Sequence, residues 1–509
     1  RIVHEPGSRT GHAIIDQPQQ RRQKMTTHIA ESALNRGAFF WTLIDRRLIA
    51  ALLFITVHNL GFSATPLNAY LDEALNNNPS LAQANFEVEA ERQRLDNLRA
   101  RFYPSLALQA RASVAEGGRT IDFPAGDLLN PVYATLNAQA VANGQPAQFP
   151  TVQNQSIPLL RPTEQDTRLV VRGPIYEPML DRQVQAQTEA IGAQEAARLQ
   201  VKEELVRDLQ TAYWQYAQAN SRITILESSL RTLKENERIN TVLYKAGETT
   251  LDAPKRAEAE TLEIQVALRQ AQTQALLARE YFNLLRYAPN DSAVELPNEE
   301  LTPNSIQDLL NELTPAKQGN TPAPALTRLE RSLAAQRAQL DASRAAYKPT
   351  LGYSIEGGYQ GRDYSTGPNT GFASASVVLN WTLADAGIRS SEVARNQAQV
   401  QALEARARQV NRQLQLAKLQ ARENLLVSLD SIQARMAQQA ASEESLRINE
   451  RKRDAGETTQ VEFLSAEQSA TRARLGLVTA VYQARIDHAI WQYNNRNIPE
   501  PGPQEGAQP

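Results

Sequence analysis

YKAGETTLD spans Tyr244–Asp252, and RDAGETTQVEFLSAEQ spans Arg453–Gln468. The shared AGETT decides the reading. The first copy ends a stretch, Pro178–Tyr244, that has no internal proline. At 1.5 Å rise per residue, a helix of that length spans about 100 Å. A glycine that closes such a helix reads as a left-handed C-cap, so Gly247 and Gly456 each end a very long helix in a tight turn. Shorter return helices are predicted over about Leu251–Tyr287 and Gln460–Tyr493. The first long helix carries a 3–4 stripe, Leu209, Ala212, Tyr216, Ala219, Ile223, Leu226, Leu230 and Leu233, which is a coiled-coil seam. In the second copy Leu425, Leu429, Ile432 and Met436 keep the spacing, followed by polar Gln439 and Glu443.

Outward from the turns, the repetition continues. LRARFYPSL (Leu98–Leu106) matches SRAAYKPTL (Ser343–Leu351), with Pro104 over Pro349. That offset exceeds the one between the glycines, so copy one carries extra sequence. It falls between about Ala115 and Asp166, a Pro/Gly/Asn/Gln-rich stretch without sustained period, and reads as a loop insertion. Each copy has one order: short helix, strand, loop, strand, long helix, turn, return helix. This is a duplicated domain and not a solenoid. The short helices, about Leu81–Arg101 and Leu326–Ala346, are predicted to stack end to end with the return helices beside each long one. The repeats run over 65–288 and 326–494, joined by a linker, 289–325, with a short helix at Ile306–Leu313. Residues 495–509 read as a disordered tail.

The strands alternate. Leu106, Leu108, Ala110, Ala112 and Val114 oppose Ser105, Gln109, Arg111 and Ser113. Leu351, Tyr353, Ile355, Gly357 and Tyr359 oppose Thr350, Ser354, Glu356 and Gln360, and Ala373, Ala375, Val377, Leu379, Trp381 and Leu383 oppose Ser374, Ser376, Asn380 and Thr382. A fourth, less regular strand covers about Thr167–Ile175. Period-two alternation fits an antiparallel sheet with one apolar and one polar face. A soluble sandwich has the same pattern, but no other strand-rich segment exists to pack on these four. Four strands cannot close a barrel, and open strand edges are not tolerated in lipid. If the strands span a membrane, the chain must oligomerise, and three chains supply twelve strands.

Composition removes most other classes. With 54 Lys+Arg against 56 Asp+Glu, the net charge of -2 gives no footprint for nucleic acid. Cysteine is absent, which excludes disulfides, thiolate sites and a lipid-modified cysteine. Of five histidines, His4, His12, His28 and His58 precede residue 60 and only His488 follows, so histidine-based metal or nucleophile chemistry is not expected. Met179 and Met436 are too few for a Cu(I) path. Carboxylates sit mostly on charged helix faces, and no spacing picks out an acid/base pair. The cluster Gly357, Gly358, Gly361, Gly367, Gly371 lacks the lysine of a phosphate loop and reads as a turn-rich outer loop. No cofactor and no enzymatic activity are expected. The mean hydropathy of -0.47 excludes a bundle of transmembrane helices but not a β-barrel.

Near the start, Arg46 and Arg47 precede the apolar run LIAALLFITVHNLGF (Leu48–Phe62). It is too short to span a bilayer and reads as a signal segment within 25–64, with Met25 as start, cleavage near Ala64 and upstream sequence at 1–24.

The duplicated order, the two tip motifs, the Leu98–Leu106/Ser343–Leu351 pair and the opening LNAYLDEALNNNPSLAQA (Leu67–Ala84) resemble the TolC family of outer-membrane efflux and secretion ducts. The resemblance covers about Leu67–Asn494. It implies an α+β membrane protein: a homotrimer with a twelve-stranded barrel in the outer-membrane lipid, continued by a long periplasmic α-helical barrel. Its periplasmic tip opens against an adaptor protein bound to an inner-membrane pump. It implies adaptor contacts at Gly247, Glu248, Thr249, Gly456, Glu457 and Thr458. Glu462 falls where the family places a gate acid, while Thr459–Glu462 equally reads as a capping box. The sequence departs from the family elsewhere: Ser465 holds the second acid's place, Thr458 the arginine's and Arg453 the tyrosine's. A gate lock here uses other partners, with Arg453, Asp454 and Glu457 as candidates beside Glu462. In copy one, Ala253 sits on the matching acidic site, and Asp252 reads as an N-cap before Pro254. Tyr353, Tyr359, Phe372 and Trp381, near strand ends, are candidates for an interfacial aromatic girdle, and Arg111 and Glu356 for the lumen. The expected function is passive export, for drug efflux or type I protein secretion. The rival reading is a periplasmic or soluble coiled-coil scaffold without a barrel.

Overall fold

The computed structural model describes residues 66–297, 302–315, 321–363 and 370–496. The signal segment, the residues before it, Gly367 and the tail beyond residue 496 lie outside the described residues.

Helix α1 (Pro66–Asn77) stops at Asn78, and α2 (Pro79–Ala100) starts there with proline at its first position. Proline cannot donate the hydrogen bond that would continue α1, but its fixed φ suits a first turn. Asn78 caps α2 by accepting from the Ser80 amide (2.9 Å), and its Nδ2 donates to the Leu285 carbonyl (2.7 Å). That second bond pins the start of α2 to the end of the return helix. The expected end-to-end stacking is therefore present in copy one.

Strand β1 (Ser105–Val114) leads into an excursion of β2 (Thr120–Phe123), α3 (Ala125–Ala142) and β3 (Gln155–Pro158), and β4 (Thr163–Tyr176) returns. Helix α4 (Pro178–Lys245) runs for 68 residues, and α5 (Asp252–Arg286) comes back. After α6 (Pro303–Leu313), copy two follows: α7 (Pro324–Ala345), β5 (Thr350–Gly361), β6 (Gly371–Asn380), the 67-residue α8 (Ile388–Asp454) and α9 (Gln460–Asn495).

The main sheet has the order β1-β4-β5-β6, all antiparallel, so β4 against β5 joins the repeats. Residues paired across strands share a face. Leu106, Val171, Ile355 and Ala375 stand in one row and Leu108, Leu169, Gly357 and Ala373 in the next. The other face carries Ser105, Arg172, Ser354 and Ser376, then Val170, Glu356 and Ser374. The expected apolar and polar faces are real. Among the described residues of one chain nothing covers the apolar one: Leu106 is 70% and Leu108 69% exposed.

The helices form one layer. Towards the turns α4 lies between α5 and α9, and α9 packs on α8; towards the sheet α4 lies between α2 and α7, and α7 packs on α8. The core is a series of clusters along the helices. Leu67, Leu71 and Ala74 of α1 meet Leu209, Tyr213 and Phe282; Ile306, Leu309, Leu310 and Leu313 of α6 cover Leu425, Leu429, Ile432, Leu477 and Val481. No described helix is long and apolar enough to cross a membrane.

Three expectations need correction. The 115–166 stretch is not an unstructured loop. It holds a helix and a two-stranded ribbon, and asparagine side chains tie the helix to the backbone that follows it. The α4 stripe buries Leu209, Ala212, Ala219, Leu226 and Leu233, but Tyr216, Ile223 and Leu230 are only half-buried, and Ser229, Asn236 and Asn240 are buried instead. A straight helix with partners on two sides drifts from a strict heptad. Gly357, Gly358, Gly361 and Gly371 lie within β5 and β6, not in a turn. A Cβ on Gly358 would stand 2.2 Å from the Thr167 carbonyl, so the β4–β5 approach requires glycine.

Candidate functional site

Both tips are built identically. Gly247 has φ +81° and Gly456 φ +74°. The amide of Glu248 bonds Leu243 O (2.9 Å) and that of Gly247 bonds Tyr244 O (3.0 Å); Glu457 bonds Lys452 O (2.7 Å) and Gly456 bonds Arg453 O (2.9 Å). This double pattern satisfies the last carbonyls of each long helix with one left-handed residue. A Cβ on either glycine meets nothing within 4 Å, so the positive φ alone calls for glycine.

The return helices begin differently. Thr459 caps α9, and Glu462 completes a capping box: the Thr459 amide donates to Glu462 Oε2 (2.9 Å) and the Glu462 amide to Thr459 Oγ1 (3.3 Å). Thr458 Oγ1 also reaches Glu462 Oε2 (2.9 Å). These bonds, the Thr459 amide foremost, hold the Glu462 carboxyl below its ordinary range. In copy one the cap residue is Leu251, without a side-chain bond. Asp252 is thus not the N-cap; as the first helical residue, it takes a hydrogen bond from Thr250 Oγ1 and lies 3.5 Å from Arg256. The helix thus starts one residue earlier than a cap at Asp252 would give.

Of the gate candidates, Arg453 stacks its guanidinium 4.4 Å from the centre of the buried Phe463 ring and Glu462 holds the cap. The side chain of Asp454 lies outside the described residues. Glu248 and Glu457 are exposed; Thr249 and Thr458 are half-buried.

The spacing missed a polar seam just above the tips, where α4 meets α9. Asn240 Nδ2 donates to Gln460 Oε1 (3.0 Å) and Asn236 Oδ1 (3.1 Å). Asn236 is fully buried with its Nδ2 unpartnered, as is the Nε2 of Gln460. Further up, the buried Glu467 accepts from Ser229 Oγ (2.6 Å) and Thr471 Oγ1 (2.9 Å). Burial pushes its carboxyl pKa up, against those two hydroxyls and Arg474. Between these two polar groups Leu233 packs on Phe463, Leu464, Ala466 and Ala470, and higher still Ala217 packs with Val478 and Tyr482, whose hydroxyl lies 3.2 Å from Ser221 Oγ.

At the helix-side end of the sheet, Trp381 Nε1 donates to the Tyr347 carbonyl (3.1 Å), and Arg389 lies 4.7 Å from the Tyr347 ring. Tyr103, Phe102 and Tyr176 are exposed at the same level. Phe102 and Tyr347 are the matching aromatics of the two repeated nonamers, a signal that could have found them. Tyr359 marks the far end. Tyr353 lies over Gly173, its cross-strand partner, on the apolar face. Phe372 is a correction: its register partner is Gly358, beside Arg168, which puts it on the polar face, and the Arg168 guanidinium stands 5.3 Å over its ring. The alternation of Ser374 and Ser376 already points that way; its aromatic character alone made it a girdle candidate. That polar face is laced by ion pairs, Arg168 with Asp166 and Glu356 (2.8 Å) and Arg111 with Glu164 (3.8 Å).

Residues 321–489 match the family model described as outer membrane efflux protein. That match covers most of the second repeat. The whole described chain has the matching fold. The CmeC outer membrane channel of Campylobacter jejuni superposes with a TM-score of 0.69 at 14% identity, covering 86% of this chain and 87% of that one. The outer membrane protein VceC of Vibrio cholerae gives 0.66 at 17%, covering 84% and 96%. The MtrE outer membrane channel of Neisseria gonorrhoeae, solved in its open state, gives 0.65 at 18%, covering 84% and 88%. No curated protein sequence matches the chain. The efflux-protein domain and the outer-membrane channel fold agree with the TolC-family resemblance and fit the duct, not the scaffold without a barrel.

Proposed function

We propose that three copies of this chain form a passive outer-membrane export duct, opened at its periplasmic tips by an adaptor and an inner-membrane pump. One observation carries the reading: every lateral edge of the chain is unfinished. β1 and β6 each pair on one side only, which lipid does not tolerate. Below the sheet, α5 and α8 are the outer helices, and each presents apolar residues with no partner among the described residues. These are Leu277 and Leu284 on α5 and Leu416, Leu419 and Val427 on α8, at similar heights above the tips. Joining α8 of one copy to α5 of the next covers both stripes and pairs β6 with β1, and three such joints close the ring.

The apolar sheet face then meets lipid, and the aromatics at its helix-side end lie at the headgroups. The paired charges of the polar face line the lumen. Tip opening needs two states biased by the adaptor, and Gly247, Glu248, Thr249, Gly456, Glu457 and Thr458 form the surface it meets. The polar seam Asn236–Asn240–Gln460 is where the hairpins part. Arg453 and Glu462, engaged with Phe463 and the capping box, hold the tip's shape rather than lock it. The duct itself performs no chemistry; transport energy and substrate choice come from the pump.

The test is heat-modifiability on a semi-native gel of the membrane-fractionated protein. A band near three times the monomer mass, in the outer-membrane fraction and collapsing on boiling, is the expected result. A soluble monomer or dimer from an exported chain would sink the duct.

A further inference from the structure

The excursion between β1 and β4 is a rigid body. Asn130 exchanges two hydrogen bonds with the Val152 backbone (2.8 Å each), Asn137 bonds Phe149 N (2.9 Å) and O (2.7 Å), and Asn154 Oδ1 accepts from the Gly126 (2.9 Å) and Asp127 (3.1 Å) amides. Each asparagine replaces a backbone ladder bond, so α3 is clasped to the strand-like segment before β3. The Tyr133 and Phe149 rings meet at a tilt beside these bonds, centroids 5.2 Å apart.

This arrangement turns α3 inside out. Its inner face is Gly126, Asn130, Tyr133 and Asn137, whereas Leu128, Leu129, Val132 and Leu136 share one flank beside it and are exposed. Helical residues spaced by four form a continuous stripe. An apolar helix face in water, on an element held rigid by its other face, is the mark of a surface that meets a partner. From Leu128 to Leu160 the sequence has no charged residue. A surface seated on anionic lipid gains from Lys and Arg, and this one has neither. Around a threefold axis every charge meets its own copies, so a self-contacting patch is favoured by having none. The excursion grows from β1, the edge strand that meets the next copy in the duct, and is therefore continuous with the joint between copies.

We propose that the three α3 helices of the duct pack on one another through Leu128, Leu129, Val132 and Leu136 and cover its outer mouth. The proposal rests on the trimeric duct reading above. The chain has no cysteine, so single cysteines report cleanly. Val132→Cys is placed on the stripe and Gln145→Cys on an exposed part of the same excursion, in the full chain expressed in cells and extracted from outer membranes. Under mild oxidant, Val132→Cys is expected to join pairs of protomers and Gln145→Cys not. Trimers in which Val132→Cys stays unlinked overturn the proposal. In that case, labelling by a water-soluble maleimide assigns the stripe to open solvent or an extracellular partner, and protection from it assigns the stripe to outer-leaflet lipid. The heat-modifiable band is read on the same samples. Its absence would count against the duct itself, separately from the cover.

Discussion

At the scale of single residues, the tips depend on backbone conformation more than on contacts. Alanine at Gly247 or Gly456 meets open space but must hold a left-handed φ, a strain of about 1–2 kcal/mol. Gly456→Ala should raise amide exchange in the last turn of α8 while the trimer band persists; unchanged exchange would mean that the turn is not held as described. The buried Glu467 and the half-buried His488 set opposite pH responses. The raised pKa of Glu467 means that the folded chain holds this proton more tightly than the unfolded one. Its contribution is full below about pH 4.5, the unfolded value, and is lost as pH rises through the folded value. His488, stacked on Trp491 and pushed down to about 4 by burial and by Arg485, works the other way. Its contribution is full above 6.5 and is lost as pH falls towards 4. Glu467→Gln should therefore raise the melting temperature at neutral pH, and His488→Gln should remove part of the acid-side loss. Melting curves between about pH 4 and 8 test both, and slopes identical to the parent's would contradict them.

At the scale of elements, the decisive feature is the set of buried amides near the tips, Asn236, Asn240 and Gln460, set into the α4–α9 contact beside the apolar Leu233–Phe463 cluster. Buried amides without partners weaken a contact, and replacing the set with apolar residues is neutral or stabilising by about 1 kcal/mol. The double change Asn236→Leu, Asn240→Leu should make the trimer melt higher and export less, because the hairpins would part less readily. Higher stability with undiminished export would remove the seam from the opening mechanism. The sequence hid this seam because its hydrophobic stripe points to one partner, while α4 has two at every level. The 115–166 excursion was hidden for a related reason. Its helix is held by Asn130 and Asn137, while its apolar residues Leu128, Val132 and Leu136 keep a helical spacing but face away from the clasp, in a stretch whose Pro, Gly, Asn and Gln content reads as loop.

At the scale of the whole molecule, the free edges define the assembly. Aspartate at Leu277 or Leu419 stays solvated in the lone chain but is buried in the ring, where an unpaired carboxylate costs several kcal/mol. Leu419→Asp should abolish the heat-modifiable trimer while leaving the helical circular dichroism of the monomer unchanged. A trimer band that survives would move the joint between copies elsewhere.

The duplication, the two glycine turns, the alternating strands and the long proline-free helices were legible in the residues, because period and punctuation are properties of the backbone that neighbours cannot alter. So was the capping box at Thr459–Glu462, which is local. What folding decided was partnership. It set the Phe372 ring under the Arg168 guanidinium, a contact between distant strands. It buried Ser229, Asn236 and Glu467 where the stripe pointed to Leu230. It turned a loop-like segment into a clasped helix with its leucines outward. Each of these depends on residues brought together from far along the chain, and no spacing within a single segment records them.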